Sequence, residues 1–132
     1  MRSLILGIGS DILWVERLRR SLRRFGPGYL EEVFSFEELE ASPPFGDAAE
    51  FYARAFCAKE ACAKALGTGI ADDVDWYDIQ VIQRPGTTLL VLHEGALRHL
   101  LSMVPNGSDF TIHVDIGSRK GLAFAFVVIE IL

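Results

Sequence analysis

The order of apolar patterns along these 132 residues predicts an α+β fold, a small antiparallel sheet packed with one long helix. Three observations carry that prediction. An apolar run at residues 4–8 is a strand candidate near the N-terminus. Helical spacing then dominates the first half, culminating in an alanine-rich segment that ends at Leu66. The second half is made of strand-like segments arranged around a single helix. Half of the residues are hydrophobic, which suits one compact core, so residues 1–132 are expected to form one domain.

The first strand runs into Gly9-Ser10-Asp11, expected to be a turn with Asp11 as the N-cap of a helix over residues 13–25. Within that helix Val15, Leu18 and Leu22 form an apolar stripe. Gly26-Pro27-Gly28 ends it. Ser35 followed by Glu38 is a capping box for a second, short helix. After the break at residues 43–46, Asp47 and Glu50 form a second capping box, opening a helix that reaches Leu66. Residues 75–83 and 88–92 are expected to be strands joined at Gly86. Glu94–Met103 is expected to be a helix, and residues 110–116 and 122–131 a hairpin around residues 117–121.

Composition removes several function classes. A net charge of -5 argues against general nucleic-acid binding, which needs a basic footprint. The charge is unevenly distributed. Five of the thirteen basic residues (Arg17, Arg19, Arg20, Arg23 and Arg24) lie in one helical segment, and residues 31–50 carry seven acids and no base. A basic helix on an acidic protein suits an acidic partner, or it is simply a solvated face. Cys57 and Cys62 match no zinc spacing and are expected to be buried thiols in a reducing compartment. No apolar run has the length of a membrane span, and the N-terminal stretch does not have the pattern of a signal peptide, so a cytoplasmic location is expected.

Functional groups stand beside glycines or element ends in three places: Asp11, the segment Glu60–Lys64 before Gly67-Thr68-Gly69, and His113. Glu60 and Lys64 are one helical turn apart, which allows an ordinary ion pair ending at a glycine cap. The same spacing lets a carboxylate hold Mg²⁺ while the lysine binds a phosphate oxygen. Asp11 is open to two readings as well, an N-cap or a second carboxylate for Mg²⁺, and His113 is either a core histidine or a catalytic group.

Taken in order, GIGSDILWVER (7–17), FYARAFCAKEACAKALGTGI (51–70) and IHVDIGSRKGLAFAFVV (112–128) resemble the holo-acyl-carrier-protein synthase family of small 4′-phosphopantetheinyl transferases. HEGALRHLL (93–101) fits the family's helix between the central strands. The resemblance implies a 4′-phosphopantetheinyl transferase-like fold that assembles as a homotrimer with shared active sites. It implies transfer of phosphopantetheine from coenzyme A to a serine of apo acyl carrier protein, releasing adenosine 3′,5′-bisphosphate.

By motif match, Asp11 and Glu60 are the Mg²⁺ ligands, and Lys64 neutralises the phosphate. Lys59, Gly67, Thr68, Gly69 and His113 lie near the nucleotide, with His113 beside the phosphates. Glu60 or a water takes the serine proton. Arg17, with Arg20 and Arg24 extending its surface, meets the acidic carrier protein. The late motif departs from the family's H-V-S-x-[ST]-H at Asp115 and Ser118, and Ala55 stands where the family has an arginine, with Arg54 beside it. An acid at residue 115 would repel phosphate if it faced the nucleotide. Two other readings suit the same pattern: a non-catalytic carrier-protein-binding module, and an enzyme acting on a group already attached to the carrier arm.

Overall fold

The computed structural model describes residues 3–43, 48–71 and 73–132. Strand β1 (Leu4–Trp14) leads into helix α1 (Val15–Phe25), followed by two short helices, α2 (Gly28–Val33) and α3 (Phe36–Glu40). The long helix α4 spans Ala48–Leu66. Next come a 3₁₀ turn (Trp76–Asp78), β2 (Ile79–Arg84), β3 (Thr87–Leu92), α5 (Glu94–Met103), β4 (Phe110–Arg119) and β5 (Leu122–Ile131). The strands form an antiparallel three-stranded sheet in the order β1-β5-β4 and a separate β2-β3 hairpin. The α+β expectation holds.

Helix α4 lies across the three-stranded sheet, and small residues set how close it comes. On β5 the inward residues are Ala123, Ala125, Val127 and Ile129, all buried, while Phe124 and Phe126 point outward. On β1, a Cβ added at Gly7 would come 1.9 Å from the Ala65 carbonyl oxygen, and one at Gly9 would come 1.8 Å from that of Ala61. Backbone therefore meets backbone at these two points, which only glycine permits. Fully buried Ala53, Ala58, Ala61 and Ala63 continue the packing along α4.

Four local expectations change. Asp11 is not an N-cap, because β1 stays paired with β5 as far as Trp14 opposite Leu122, and α1 starts only at Val15. Long-range strand pairing outweighs the local turn signal there. The strand expected from residue 75 starts at Ile79, because the Asp75 side chain accepts from the Trp76 amide at 2.6 Å and caps a 3₁₀ turn instead. Helix α2 was not foreseen. The last hairpin is tighter than expected: both strands extend inward, leaving Lys120 (φ 51°) and Gly121 (φ 80°) at a two-residue turn. Positive φ at both positions is the turn that matches strand twist. The Ser35–Glu38 capping box forms as expected, whereas the Asp47 cap falls outside the described residues. No helix among the described residues is long and apolar enough to cross a membrane.

Candidate active site

The close contact between β1 and α4 brings Asp11 over one face of the helix. Lys64 Nζ reaches the Asp11 carboxylate at 3.3 Å and donates to the Ser10 carbonyl at 2.9 Å. A helical side chain leans toward the helix N-terminus, which lets Lys64 reach back over Glu60 to the strand. Glu60 is partly buried, and its carboxyl is raised above the ordinary range, first by burial and then by the Asp11 charge, with Lys64 opposing. Cys57 is fully buried; burial first and then the Asp11 charge push its thiol up to about 12. Asp11, Glu60, Arg17, Ser21, Tyr29 and Phe56 line a cleft of about 320 Å³.

Two carboxylates and a lysine meeting at a cleft fit a hard divalent cation and a phosphate. Mg²⁺ takes few protein oxygens and leaves the rest of its shell to water and phosphate. Asp11 and Glu60 thus fit Mg²⁺, with Lys64 placed for an anion. No cluster of three or more His, Cys, Asp or Glu suited to a metal occurs among the described residues, and a two-carboxylate Mg²⁺ site needs none.

Lys59 is a correction. It sits on a different face of α4 from Glu60 and Lys64 and is fully buried. Its ammonium group donates to Glu38 Oε1 (2.9 Å), the Trp76 carbonyl (2.8 Å) and the Ile79 carbonyl (2.7 Å), which uses all three protons. Burial pushes its pKa down, and the Glu38 charge opposes that. Lys59 braces α3 and the start of β2 against α4 and has no surface left for a nucleotide.

The glycine loop also has a structural role. Gly67 N donates to Lys64 O, and Thr68 N and Gly69 N both donate to Ala63 O. This is a Schellman cap, with Gly67 at φ 80°. These amides are committed to the helix and do not form a phosphate cradle. The Thr68 hydroxyl donates to the Gly69 carbonyl, and its side lines a cleft of about 400 Å³ with Asp73, Arg98 and His99.

His113 is not beside Asp11 within one chain. It is opposite Val128 in the β4–β5 register, on the sheet face away from α4, and it bonds Glu130 at 2.9 Å. Asp115, opposite Phe126, is on that open face too. Ser118 points to the α4 side and accepts from Arg54 Nη1 at 3.0 Å, while Arg54 Nε donates to Gln83 at 3.2 Å. Arg54 lines a cavity of about 690 Å³ together with Arg84 and Thr88. Sequence reasoning marked Arg54 and Ser118 as departures without seeing that they pair, since 64 residues separate them.

On α1, Glu16 pairs with Arg19 (3.2 Å) and Arg23 (2.8 Å). Arg17, Arg20 and Arg24 follow i, i+3, i+7 spacing on another stripe and are exposed. Arg17 lines both the Asp11–Glu60 cleft and a neighbouring depression with Trp14, Glu16 and Arg20.

The family model for the 4′-phosphopantetheinyl transferase superfamily matches residues 7–115. A holo-[acyl-carrier-protein] synthase of Methylobacterium sp. (strain 4-46) is 45% identical over 130 residues, covering 98% of this chain and 96% of its own. The chain belongs to the holo-acyl-carrier-protein synthase family. Solved structures agree. The holo-[acyl-carrier-protein] synthase of Neisseria meningitidis superposes with a TM-score of 0.82 at 29% identity, covering 96% of this chain and 98% of that one. The Bacillus anthracis enzyme, solved with CoA (3′,5′-ADP), gives 0.75 at 30% identity with 96% of both chains covered. As a holo-acyl-carrier-protein synthase relative, the chain is a phosphopantetheinyl transferase, and CoA and an acyl carrier protein are the substrates of its family.

Proposed function

We propose that this chain moves the 4′-phosphopantetheine group of CoA onto a serine of an apo acyl carrier protein at the Asp11–Glu60–Lys64 cleft. The observation that carries the assignment to this cleft is the meeting of two carboxylates from different elements with a lysine, beside an arginine face. Asp11 and Glu60 would hold Mg²⁺. When bound, that ion neutralises charge on the pyrophosphate and orients it for in-line attack. Lys64 exchanges its contact with Asp11 for a phosphate oxygen and offsets the negative charge that grows as the leaving bisphosphate departs. Glu60 or a water beside it accepts the serine proton.

The carrier protein docks on the Arg17, Arg20 and Arg24 stripe. Arg17 links that stripe to the cleft, so a serine arriving along α1 has a short route to the phosphate. An acidic partner suits this face, because Glu16 is the only acid on α1 and already engages Arg19 and Arg23.

The open face of the β1-β5-β4 sheet supports a homotrimer. Ile8, Ile12 and Phe126 are each more than half exposed there, with Phe124 between them. An exposed apolar sheet face of this kind marks an interaction surface. His113 and Asp115 share it, so His113 reaches an Asp11–Glu60 cleft only across such an interface. Phe126→Glu should therefore shift the sedimentation coefficient toward monomer. A variant that stays trimeric contradicts the placement of the interface.

Calorimetric titration tests the site. CoA should bind the wild-type chain in the presence of Mg²⁺, weaken about tenfold or more with Lys64→Ala, and lose its Mg²⁺ dependence with Asp11→Asn. Unchanged binding in both variants would place the reaction elsewhere.

A further inference from the structure

Strand β1 ends on a large exposed aromatic residue that the Asp11–Glu60–Lys64 cleft does not use. Trp14 is 60% exposed, yet its backbone is fixed on both sides. It pairs with Leu122 across the β1–β5 register, and the Val15 amide donates to the Gly121 carbonyl at 2.8 Å. Its ring lies along the β4–β5 turn, 3.9 Å from where a Cβ on Gly121 would stand. Cations stand on both sides of it. Arg17 and Arg20 follow on α1, while Arg119 opposes Leu122 and Lys120 begins the turn. All four are exposed, and none makes an ion pair among the described residues. Glu16, the acid beside them, is held by Arg19 and Arg23. Trp14, Glu16, Arg17 and Arg20 line a depression of about 420 Å³, and Arg17 joins it to the Asp11–Glu60 cleft.

We infer that Trp14 is the anchor of the carrier-protein docking surface, and that the β4–β5 turn is the second element of that surface beside α1. Trp and Arg carry much of the binding energy at interfaces, and a rigid ring buries a large area at small entropic cost. Here the fixed backbone places the ring before any partner arrives. The occupant it fits is an acidic protein that presents an apolar side chain between carboxylates. One group of acids would face Arg17 and Arg20, the other Arg119 and Lys120. Continuity with the cleft through Arg17 points to the protein that brings the acceptor serine. The inference rests on the proposed docking along α1 and extends it to residues outside that helix.

The test is calorimetric titration of the chain with an apo acyl carrier protein, without CoA. Trp14→Ala should weaken carrier binding about tenfold or more and keep CoA affinity within about twofold of wild type. Arg119→Glu combined with Lys120→Glu should weaken the carrier about three- to tenfold at low salt, and less at high salt. Phe36→Ala, which removes an exposed ring from α3, should leave carrier affinity unchanged. Sedimentation should show the Trp14→Ala chain in the wild-type assembly; dissociation would place the ring between subunits and overturn the inference. Wild-type carrier affinity in Trp14→Ala overturns it too. Loss of binding to phosphatidylglycerol vesicles in that variant, with carrier affinity unmoved, would assign the ring to a membrane surface instead. An unchanged affinity in the Arg119 and Lys120 double variant removes the turn from the surface. Charge reversal at Arg17 and Arg20 separates the two levels. If it too leaves carrier binding at the wild-type value, the α1 docking reading falls and the inference falls with it. If it weakens the carrier while Trp14→Ala does not, only the role of Trp14 is refuted.

Discussion

Truncating Lys59 should unfold this protein more readily than it impairs ligand binding. Lys59→Ala removes an ammonium with no solvent exposure that bonds Glu38, the Trp76 carbonyl and the Ile79 carbonyl at 2.9, 2.8 and 2.7 Å. Two carbonyls lose a donor. Glu38, itself only 4% exposed, is left as a buried charge supported by the Ser35 and Val81 amides at 2.8 and 2.9 Å. Breaking a buried pair from one side costs about 3–5 kcal/mol. That is a large share of the roughly 5–15 kcal/mol that holds a domain folded. At about 4 °C per kcal/mol for a chain of this size, the melting temperature should fall about 12–20 °C. Thermal denaturation followed by circular dichroism reads this directly. Adding Glu38→Gln to Lys59→Met should recover much of the loss, since the orphan charge goes while an acceptor for Val81 remains. A Lys59→Ala protein that melts within about 2 °C of wild type but binds CoA about tenfold more weakly would refute the reasoning. It would make Lys59 a ligand contact after all.

Other perturbations probe the cleft and its supports. Glu60 holds its proton more tightly in the folded chain than in the unfolded one, so the stability associated with that proton is present at low pH. It is lost as pH rises through the raised value. Glu60→Gln should therefore gain thermal stability over metal-free wild type as pH climbs from about 4 to about 7, and a pH-independent difference contradicts the shift. Gly9→Ala would drive a methyl group into the Ala61 carbonyl and should destabilise by about 1–3 kcal/mol or more in chemical denaturation; an unchanged midpoint would mean α4 can move away. Charge reversal at Arg17 and Arg20 should raise KM for the carrier protein, most at low salt, and leave CoA affinity intact; equal loss of both would remove α1 from the docking surface.

Sequence spacing made much of this architecture legible. Helix α5 has the expected limits, the Ser35–Glu38 box forms, and residues 122–131 are the second strand of the last hairpin. These features depend on neighbours within a turn or two. Asp11 was misjudged as a cap because what keeps it in a strand is β5, more than a hundred residues away. The pairing of Arg54 with Ser118 was hidden for the same reason. Lys59 was different, because its sequence did carry a signal. At 100° per residue it lies about 140° around α4 from Lys64, too far to share a ligand with it. Motif order grouped the two lysines, and helical geometry separates them. The partner that makes Lys59 structural, Glu38, could not be inferred from spacing at all.

The central claim is that this chain loads a carrier protein with phosphopantetheine through Asp11, Glu60 and Lys64. The most direct measurement is the intact mass of an apo acyl carrier protein after incubation with the chain, CoA and Mg²⁺. The account predicts the phosphopantetheine mass increment with wild type and its loss with Asp11→Asn or Lys64→Ala. An unmodified carrier with the wild-type chain across a panel of apo carrier proteins, or full modification by both variants, would contradict it.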